Sequence, residues 1–404
     1  MTNPATGLFK RVKYKAEVTF GTIPAAPSAQ LLRRVTSSLD LAKQTYQSNE
    51  IRTDLQISDF RHGVRSVAGA VNGELSAKTY ADFFAAAVKR AFAAVAAISG
   101  ASITIAGAGP TYTLTRAAGS FLTDGIKIGD VVQLSVGVFN AANIGKNLMI
   151  TALTATVATV FVVNGVALVA EGPIVSSTFT VIGKKTFIPT TGHLDQSFSI
   201  EHYFSDLVAS EVFSGCKVDK LDVQLPPTGM ATVAISFMGQ NVTTAGAEYF
   251  TSPTAATTTG TLASVNGVLR ANGTSYATLT GLSLSINPAL SSAPVVGSNT
   301  VPFLFPGSVV VSGQFTAYFS DTVLRDAFLN ETEIDLMAVF TADNTASADF
   351  ISFVIPRLKV GGAAKNDGQG GIIQTFPFTA LFNKNGGVGI ATEQTTISIQ
   401  DAQA

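Results

Sequence analysis

Tryptophan is absent from this 404-residue sequence, cysteine occurs once, at Cys216, and histidine occurs three times. A lone cysteine excludes an internal disulfide and a cysteine metal cluster, and we expect it to be a small buried side chain. The first fifteen residues contain no apolar segment typical of a signal peptide. Charged residues make up only 13% of the chain. With so few charges to cover its surface, the protein is expected to bury part of that surface against other subunits.

The charge balance argues against a nucleic-acid-binding protein. A formal net charge of −1 does not supply the strong positive field that such proteins need. Residues 1–94 hold 13 basic and 7 acidic side chains, and the totals of 26 and 27 leave 13 basic and 20 acidic ones for the rest. We expect this acidic remainder to repel DNA rather than to hold it.

Small and β-branched residues dominate the composition, which favours sheets and turns over helices. Residues 147–170 are uncharged and apolar, but Asn164-Gly165 between two β-branched runs predicts a type I′ hairpin. A membrane helix of about 20 residues would not contain that turn, so we expect a soluble protein. Asn272-Gly273 predicts a second hairpin turn.

One helix is expected after the first strands, in "SAKTYADFFAAAVKRAF". Ser76 is the predicted N-cap, and Tyr80, Phe83, Phe84 and Val88 share one helical face. Residues 97–183 that follow carry only three basic and three acidic side chains. Short β-like runs alternate there with turn signals, which predicts a small β-barrel or sandwich inserted into another unit.

An internal repeat appears when the chain is compared with itself at an offset of about 244 residues. Strand, loop, strand and helix patterns coincide in order, and Gly69 aligns with Gly313. The pattern predicts a mainly β protein made of two copies of one module, each with a flanking helix, and with a small inserted β domain. The predicted boundaries are 1–96 with 184–250 for the first module, 97–183 for the insert, 251–261 for a linker and 262–404 for the second module.

Residues 48–76, "SNEIRTDLQISDFRHGVRSVAGAVNGELS", concentrate charge in a chain that otherwise has little. Positive and negative side chains alternate in this strip, at Glu50, Arg52, Asp54, Asp59, Arg61 and Arg65. We place the strip in a long loop between two strands. Taken alone, it is most simply a solvated loop whose exposed ion pairs contribute about 0–1 kcal/mol each.

Residues suited to catalysis are sparse. "GHLDQSFSIEHYF" offers His193, Asp195, Glu201 and His202 as a possible metal set, but adjacent residues of a strand point to opposite faces, which separates Glu201 from His202. Neither Ser214 nor Cys216 has a local base motif. We therefore predict no catalytic residues, no metal, no cofactor and no enzymatic activity.

Two long segments resemble the major tail tube proteins of long-tailed bacteriophages. The first runs from "IPAAPSAQLLRRVTSSLDL" through the charged strip to "SAKTYADFF", and the second from "TVLRDAFLNETEIDLMAVF" to "GGIIQTFPFTALFN". The resemblance covers about two thirds of the chain and leaves the insert outside. It implies a β-sandwich flanked by a helix, which assembles into stacked rings around a β-barrel channel for passive DNA ejection.

The resemblance also implies a role for the strip and a set of partners. In this family the long loop typically reaches a neighbouring subunit or ring, so Glu50, Arg52, Asp54, Asp59, Arg61 and Arg65 are expected at an inter-subunit or ring-to-ring interface, where alternating charges fix register. Two modules per chain favour a ring of three chains with pseudo-sixfold symmetry, and a ring of six chains is the alternative. The other expected partners are tail terminator, distal tail and tape measure proteins, with DNA only in transit and no membrane.

The expected location is the virion tail, after assembly in the host cytoplasm, with the insert on the outside of the tube. Two other interpretations fit the composition. A self-assembling or adhesive surface β-protein is the first, although it should carry a signal peptide. A sugar-active or hydrolytic β-domain is the second, although it requires a carboxylate pair or triad, for which the acidic residues are too scattered.

Overall fold

The computed structural model describes residues 4–165, 167–271, 274–275, 279–366 and 369–404. Strands dominate it and the two α-helices are short, so the predicted mainly β fold is confirmed. None of the helices in these ranges is long and apolar enough to cross a membrane. The predicted turn at Asn272-Gly273 lies outside the described residues.

The N-terminal part forms five strands and the first helix. The strands are β1 (Lys10–Ala16), β2 (Gln30–Leu31), β3 (Thr36–Ser37), β4 (Asp40–Gln47) and β5 (Phe60–Glu74), and the helix is α1 (Ala81–Ala87). The predicted cap is wrong: Tyr80 stands at the N-cap position, and the Ser76 hydroxyl shares a 2.6 Å hydrogen bond with the Thr79 hydroxyl. The predicted apolar face is buried at all four positions.

Six strands then close into a small barrel, in the order β10-β7-β6-β11-β8-β9. They are β6 (Ile98–Ala108), β7 (Thr111–Arg116), β8 (Val131–Ser135), β9 (Leu148–Leu153), β10 (Val157–Val162) and β11 (Glu171–Val181). Phe121 and Phe179 fill its interior, with ring centroids 4.9 Å apart. The hairpin predicted at Asn164-Gly165 is wrong, because β10 pairs with β7 and β9 and residues 167–170 form no strand.

The remainder of the chain supplies the other strands and the second helix. The strands up to Ala245 are β12 (Lys184–Phe187), β13 (Phe198–Phe204), β14 (Ala209–Leu225), β15 (Thr232–Gly239) and β16 (Asn241–Ala245). Those after it are β17 (Gly267–Ala271), β18 (Thr274–Ser275), β19 (Leu279–Asn287), β20 (Ser291–Ser292), β21 (Leu304–Phe305), β22 (Val310–Tyr318), α2 (Val323–Leu329), β23 (Ile334–Thr341), β24 (Phe350–Val360), β25 (Ala364–Asn366), β26 (Ile373–Ala380) and β27 (Ser398–Asp401).

Two groups of six strands are hydrogen-bonded in the same order. The first strand set runs β4-β5-β15-β14-β13-β1, and the second strand set runs β19-β22-β26-β24-β23-β17. Gly69 lies opposite Phe237 in the first set, and Gly313 lies opposite Phe378 in the second, in agreement with the sequence alignment of these glycines. A shared strand order is compatible with tandem duplication, which stays a prediction.

One hydrophobic core serves both strand sets. Helix α1 covers it, with the Phe83 ring edge-on to Phe198 and Phe237 at centroid distances of 5.1 and 5.3 Å. The neighbouring Phe84 reaches Phe353 of the second set at 5.9 Å. Buried aromatic pairs of this kind stabilise beyond their buried area. The two sets therefore pack as one body, and the surfaces left at its margins are fixed relative to each other.

Candidate assembly surfaces

Strand β4 of the first set and strand β25, which belongs to neither set, bound a continuous sheet of eight strands. Its order is β4-β5-β15-β14-β19-β22-β26-β25, with the end of β24 also pairing to β26 just before β25. Strand β14 is shared between layers: its first half pairs with β13 and β16, and its second half pairs with β15 and β19.

The two strand sets meet within this sheet at the joint between β14 and β19. Residues Leu221–Leu225 run antiparallel to Leu282–Ile286, with Asp222 opposite Ser285. On the inner face of the joint, Leu221, Val223, Leu284 and Ile286 are buried. The alternation of buried and open residues fixes the register, because a slip of one residue would expose the whole apolar row.

The sheet ends in two open edges. Among the described residues, β4 pairs only with β5, and most of its side chains are exposed. At the opposite end β25 pairs only with β26, and all three of its residues are exposed. An open strand edge presents unpaired backbone N–H and C=O groups, which can pair with another chain. The sequence patterns did not reveal β25, because three residues beside two glycines carry no detectable periodicity.

The registers show that these edges correspond to the two sides of the internal joint. Asp40 lies opposite the residue that precedes Gly69. Ser285 lies opposite the residue that precedes Gly313, so Asp40 and Ser285 occupy equivalent positions. Ala364 lies opposite Thr375, which is three residues before Phe378. Asp222 lies opposite Ala234, which is three residues before Phe237, so Ala364 and Asp222 occupy equivalent positions. The pair formed by Ala364 and Asp40 of another chain would therefore repeat the pair formed by Asp222 and Ser285.

The face of this sheet that does not cover the core carries short polar side chains. These include Ser66, Asn72, Ser236, Ser283, Ser285, Gln314, Thr316, Thr375 and Thr379, none of which is buried. The charged side chains on the same face come with both signs, and the Lys220 ammonium lies 2.9 Å from the Asp222 carboxylate. The result is a polar surface on which no large single-sign charge patch forms.

The charged strip lies at the open end of the β4–β5 hairpin. Glu50, Arg52, Asp54 and Asp59 are in the connecting segment 48–59, whereas Arg61 and Arg65 are on β5, which begins at Phe60. The expectation that the whole strip is a loop is therefore wrong for its last part. Pairing with β4 extends the strand, because Tyr46 and Gln47 lie opposite Arg61 and Phe60.

Most charges of the strip are paired within the strip itself. Arg52 Nη2 lies 2.7 Å from Asp54 Oδ2, and Arg61 Nε lies 2.7 Å from Asp59 Oδ2. Hydrogen bonds from the two arginines hold the carboxyl pKa values of Asp54 and Asp59 below their ordinary range. Arg65 turns away, and its backbone N–H donates to the Asn299 carbonyl at 2.9 Å.

Between the charges stand exposed apolar side chains that the charge pattern had obscured. Ile51 and Leu55 are 99% and 94% exposed, and Ile57 is 64% exposed. Apolar side chains are rarely left this open in a cluster unless another surface covers them. The segment 48–59 therefore presents both apolar contacts and a fixed arrangement of charge.

The corresponding connection of the second set, residues 288–309, lies on the first set of the same chain. Lys217 Nζ donates to the Leu304 carbonyl at 3.1 Å, and Gln240 Nε2 donates to the Val301 carbonyl at 2.9 Å. The side chains of Val301 and Leu304 are buried, each 3% exposed. This connection is thus anchored by two apolar residues and by carbonyls that accept from the first set.

Lys217 belongs to an ion pair that occurs at the same place in both sets. Cys216 lies opposite Phe198 in the first set, and Leu358 lies opposite Ile334 in the second. The residues that follow Cys216 and Leu358, Lys217 and Lys359, therefore correspond. So do Asp195 and Glu331, each three residues before the opposite residue. Lys217 Nζ is 2.6 Å from Asp195 Oδ2, and Lys359 Nζ is 3.3 Å from Glu331 Oε2. Lys217 lies beneath residues 288–309 and is 5% exposed, while its partner Asp195 is 55% exposed. In the second pair, Lys359 and Glu331 are 42% and 82% exposed.

Three of the four candidate metal ligands, His193, Asp195, Glu201 and His202, have other partners. Asp195 pairs with Lys217, buried Glu201 binds the ammonium of buried Lys13 at 3.0 Å, and His202 Nε2 is 2.7 Å from the Ser37 hydroxyl. Within the described ranges no group of three His, Cys, Asp or Glu residues is placed to hold a metal ion. Cys216 is fully buried as predicted, and burial raises the pKa of its thiol.

Comparison with known proteins supplies a family for this architecture. The model of a family described as phage tail tube protein matches residues 10–380. The match includes both strand sets, the barrel and both open edges of the sheet. No curated protein matches the chain.

Proposed function

The chain belongs to the phage tail tube protein family, and we propose that it assembles head to tail into rings that stack as the tube of a phage tail. Membership of this family makes it a structural component of the virion that associates with itself and with other tail proteins.

The observation that carries the proposal is the pair of open edges, β4 and β25. They correspond by register to the two sides of the joint between β14 and β19, so β25 of one chain is suited to pair with β4 of the next. Such a head-to-tail contact closes into a ring when the rotation per step divides the circle. Closure removes every exposed edge and leaves a barrel.

The internal joint makes each chain equivalent to two steps around the ring. A family ring of six single units would then be formed by three of these chains with pseudo-sixfold symmetry. Six chains per ring are the alternative. Tandem duplication, with residues 1–96 and 184–250 as one module and 262–404 as the other, accounts for the shared strand order.

The proposed channel is lined by the polar face of the eight-stranded sheet. Serine, threonine, asparagine and glutamine side chains with few charges offer DNA no array of cations to bind, so DNA would slide past without being retained. The role is passive, and it needs neither catalytic residues nor a cofactor.

The barrel of residues 97–183 would stand on the outside of the tube. It packs on the layer opposite the channel face, where Val131, Met149 and Val163 contact Met337 and Val354 of β23 and β24. Tail terminator, distal tail and tape measure proteins are the proposed further partners, with assembly in the host cytoplasm before the tail is completed.

Negative-stain electron microscopy of the purified chain tests this function. We expect rings or tubes with a central hole, and end-on classes with threefold symmetry for the three-chain ring. End-on classes with sixfold symmetry would support the same function with six chains per ring instead of three. A chain that stays monomeric at high concentration and also in the presence of a tail-tip complex would overturn the proposal and favour the adhesive alternative.

A further inference from the structure

We propose that segment 48–59 of one chain lies on the second strand set of the next chain in the same ring, over the ion pair of Lys359 and Glu331. The inference rests on the proposed ring and names the surface that the charged strip binds there. The partner is a second copy of this chain.

The template for this contact is already present within the chain. Residues 288–309 connect β19 and β22 and cross the joint onto the first set, where Leu304 and Val301 are buried. The Leu304 carbonyl accepts a hydrogen bond from Lys217, the cation of the Lys217–Asp195 pair. Segment 48–59 connects β4 and β5, the equivalent strands of the first set. If β4 pairs with β25 of the next chain, this segment must emerge beside β24 of that chain.

The expected binding surface is open in the single chain. We define the receiving surface as Glu331, Glu333, Arg357, Lys359 and Phe382. Lys359 is 42% exposed, whereas its equivalent Lys217 is 5% exposed beneath residues 288–309. Phe382 is 46% exposed and joined to the rest by the bond from Arg357 Nη1 to its carbonyl, 2.9 Å long. The surface thus repeats the lysine–carboxylate pair of the first set, but its lysine is exposed rather than covered.

The chemistry of the segment matches this surface. Ile51, Leu55 and Ile57 supply apolar side chains for Phe382, as Leu304 and Val301 do on the first set. In the docked position the ion pairs Arg52–Asp54 and Asp59–Arg61 would face the pairs Lys359–Glu331 and Arg357–Glu333, so that groups of both signs are available as partners on each side. Alternating charges on both surfaces select one register of docking.

The contact determines where the strip acts. Its charges would hold neighbouring chains within a ring, which leaves stacking between rings to other surfaces. Because the contact needs two chains, it is incomplete in the monomer. Segment 48–59 therefore stays exposed to solvent until a second chain binds.

Site-specific photocrosslinking tests the contact. Leu55→p-benzoylphenylalanine is introduced into ¹⁵N-labelled chains, which are mixed with unlabelled chains lacking the substitution and assembled into isolated single rings. We expect irradiation to join residue 55 to unlabelled peptides that contain Glu331, Lys359 or Phe382, and the yield to fall at least tenfold in unassembled chains. The control is Val138→p-benzoylphenylalanine, at an equally exposed position of the barrel.

Three other results would overturn the inference. Crosslinks that appear only when rings are stacked would assign the segment to the ring-to-ring contact. If residue 55 in single rings crosslinks to other peptides, or to none, the assignment of the receiving surface is wrong, although the proposed ring stands. Wild-type chains that form no ring under any condition would overturn the proposed function itself, and the inference with it.

Discussion

Asp222 of β14 and Ser285 of β19 lie directly opposite each other across the joint between the two strand sets. Ala364 and Asp40 occupy the equivalent positions on the open edges. We therefore expect chains carrying both Asp40→Cys and Ala364→Cys to form disulfides between neighbours on oxidation of assembled rings, since opposed residues bring their Cβ atoms within about 4.5–5.5 Å. Non-reducing electrophoresis should show a ladder that ends at three chains.

The matched control shifts one cysteine by one residue. In chains with Asp40→Cys and Lys365→Cys the two side chains point to opposite faces of the sheet, so we expect little crosslinking. Equal yields from the two variants would contradict the register. The buried native Cys216 should not take part.

Gly313 has no room for a side chain. A Cβ at this position would lie 2.1 Å from the Ser283 carbonyl oxygen of the adjacent strand and 2.8 Å from the Phe378 ring. We expect Gly313→Ala to lower the free energy of unfolding by about 2–3 kcal/mol, because neighbouring backbone must shift. Urea unfolding of the monomer measures this, with Gly7→Ala, where a Cβ meets nothing within 4 Å, as the control. Equal stability of the two variants would contradict the packing.

Lys13 neutralises the buried carboxylate of Glu201. Its ammonium is fully buried, 3.0 Å from Glu201, and it also contacts Glu248. Lys13→Met should lower the unfolding free energy by about 3–5 kcal/mol, because it leaves Glu201 charged and buried without its cation. Thermal and urea unfolding provide the measurement. Arg11→Met, at an exposed position of the same strand, should cost less than about 1 kcal/mol, and a similar loss in both would argue against the buried pair.

His202 is expected to make the protein sensitive to acid. Burial, with Lys10 and Arg34 nearby, lowers its pKa from 6.5 to about 3. Between these values the unfolded chain binds more protons than the folded one, so stability falls as the pH drops below 6.5. At pH 5 the loss from this group is about 2 kcal/mol relative to pH 7.

The pH dependence of urea unfolding tests this contribution. His202→Gln should reduce the slope of unfolding free energy between pH 6.5 and 4, although the substitution itself lowers stability at pH 7. His193→Gln, at an exposed histidine, should retain the wild-type slope. An unchanged slope in His202→Gln would assign the acid sensitivity to other groups.

Local patterns in the sequence predicted those features that depend on local burial. The alternation of apolar residues in "ATVAISFMGQ" predicted β15, and the aromatic stripe of α1 predicted the side of the helix that covers the core. The start of α1 was predicted too early, because Ser76 bonds to Thr79 and the chain turns once more before the helix begins.

The assembly surfaces depended on long-range pairing, which local patterns do not report. Charge spacing identified the strip, but it could not show that Arg52 and Arg61 are neutralised by carboxylates two residues away. Charge spacing also could not show that the side chains of Ile51 and Leu55 are exposed to solvent. Only the strand registers show that Lys217 and Lys359 are equivalent. A bulge and connections of unequal length shift the two sets relative to each other in the sequence.

The joint between β14 and β19 forms within one chain, and this has a kinetic consequence for assembly. In a ring of three such chains, half of the strand-to-strand joints form during folding, at the high effective concentration of an intramolecular contact. Only the other half require collisions between free chains, each with its loss of translational and rotational entropy. Ring nucleation would then be third order in protein rather than sixth, so rings should persist to lower concentrations than those of single-module subunits with equal contact strength.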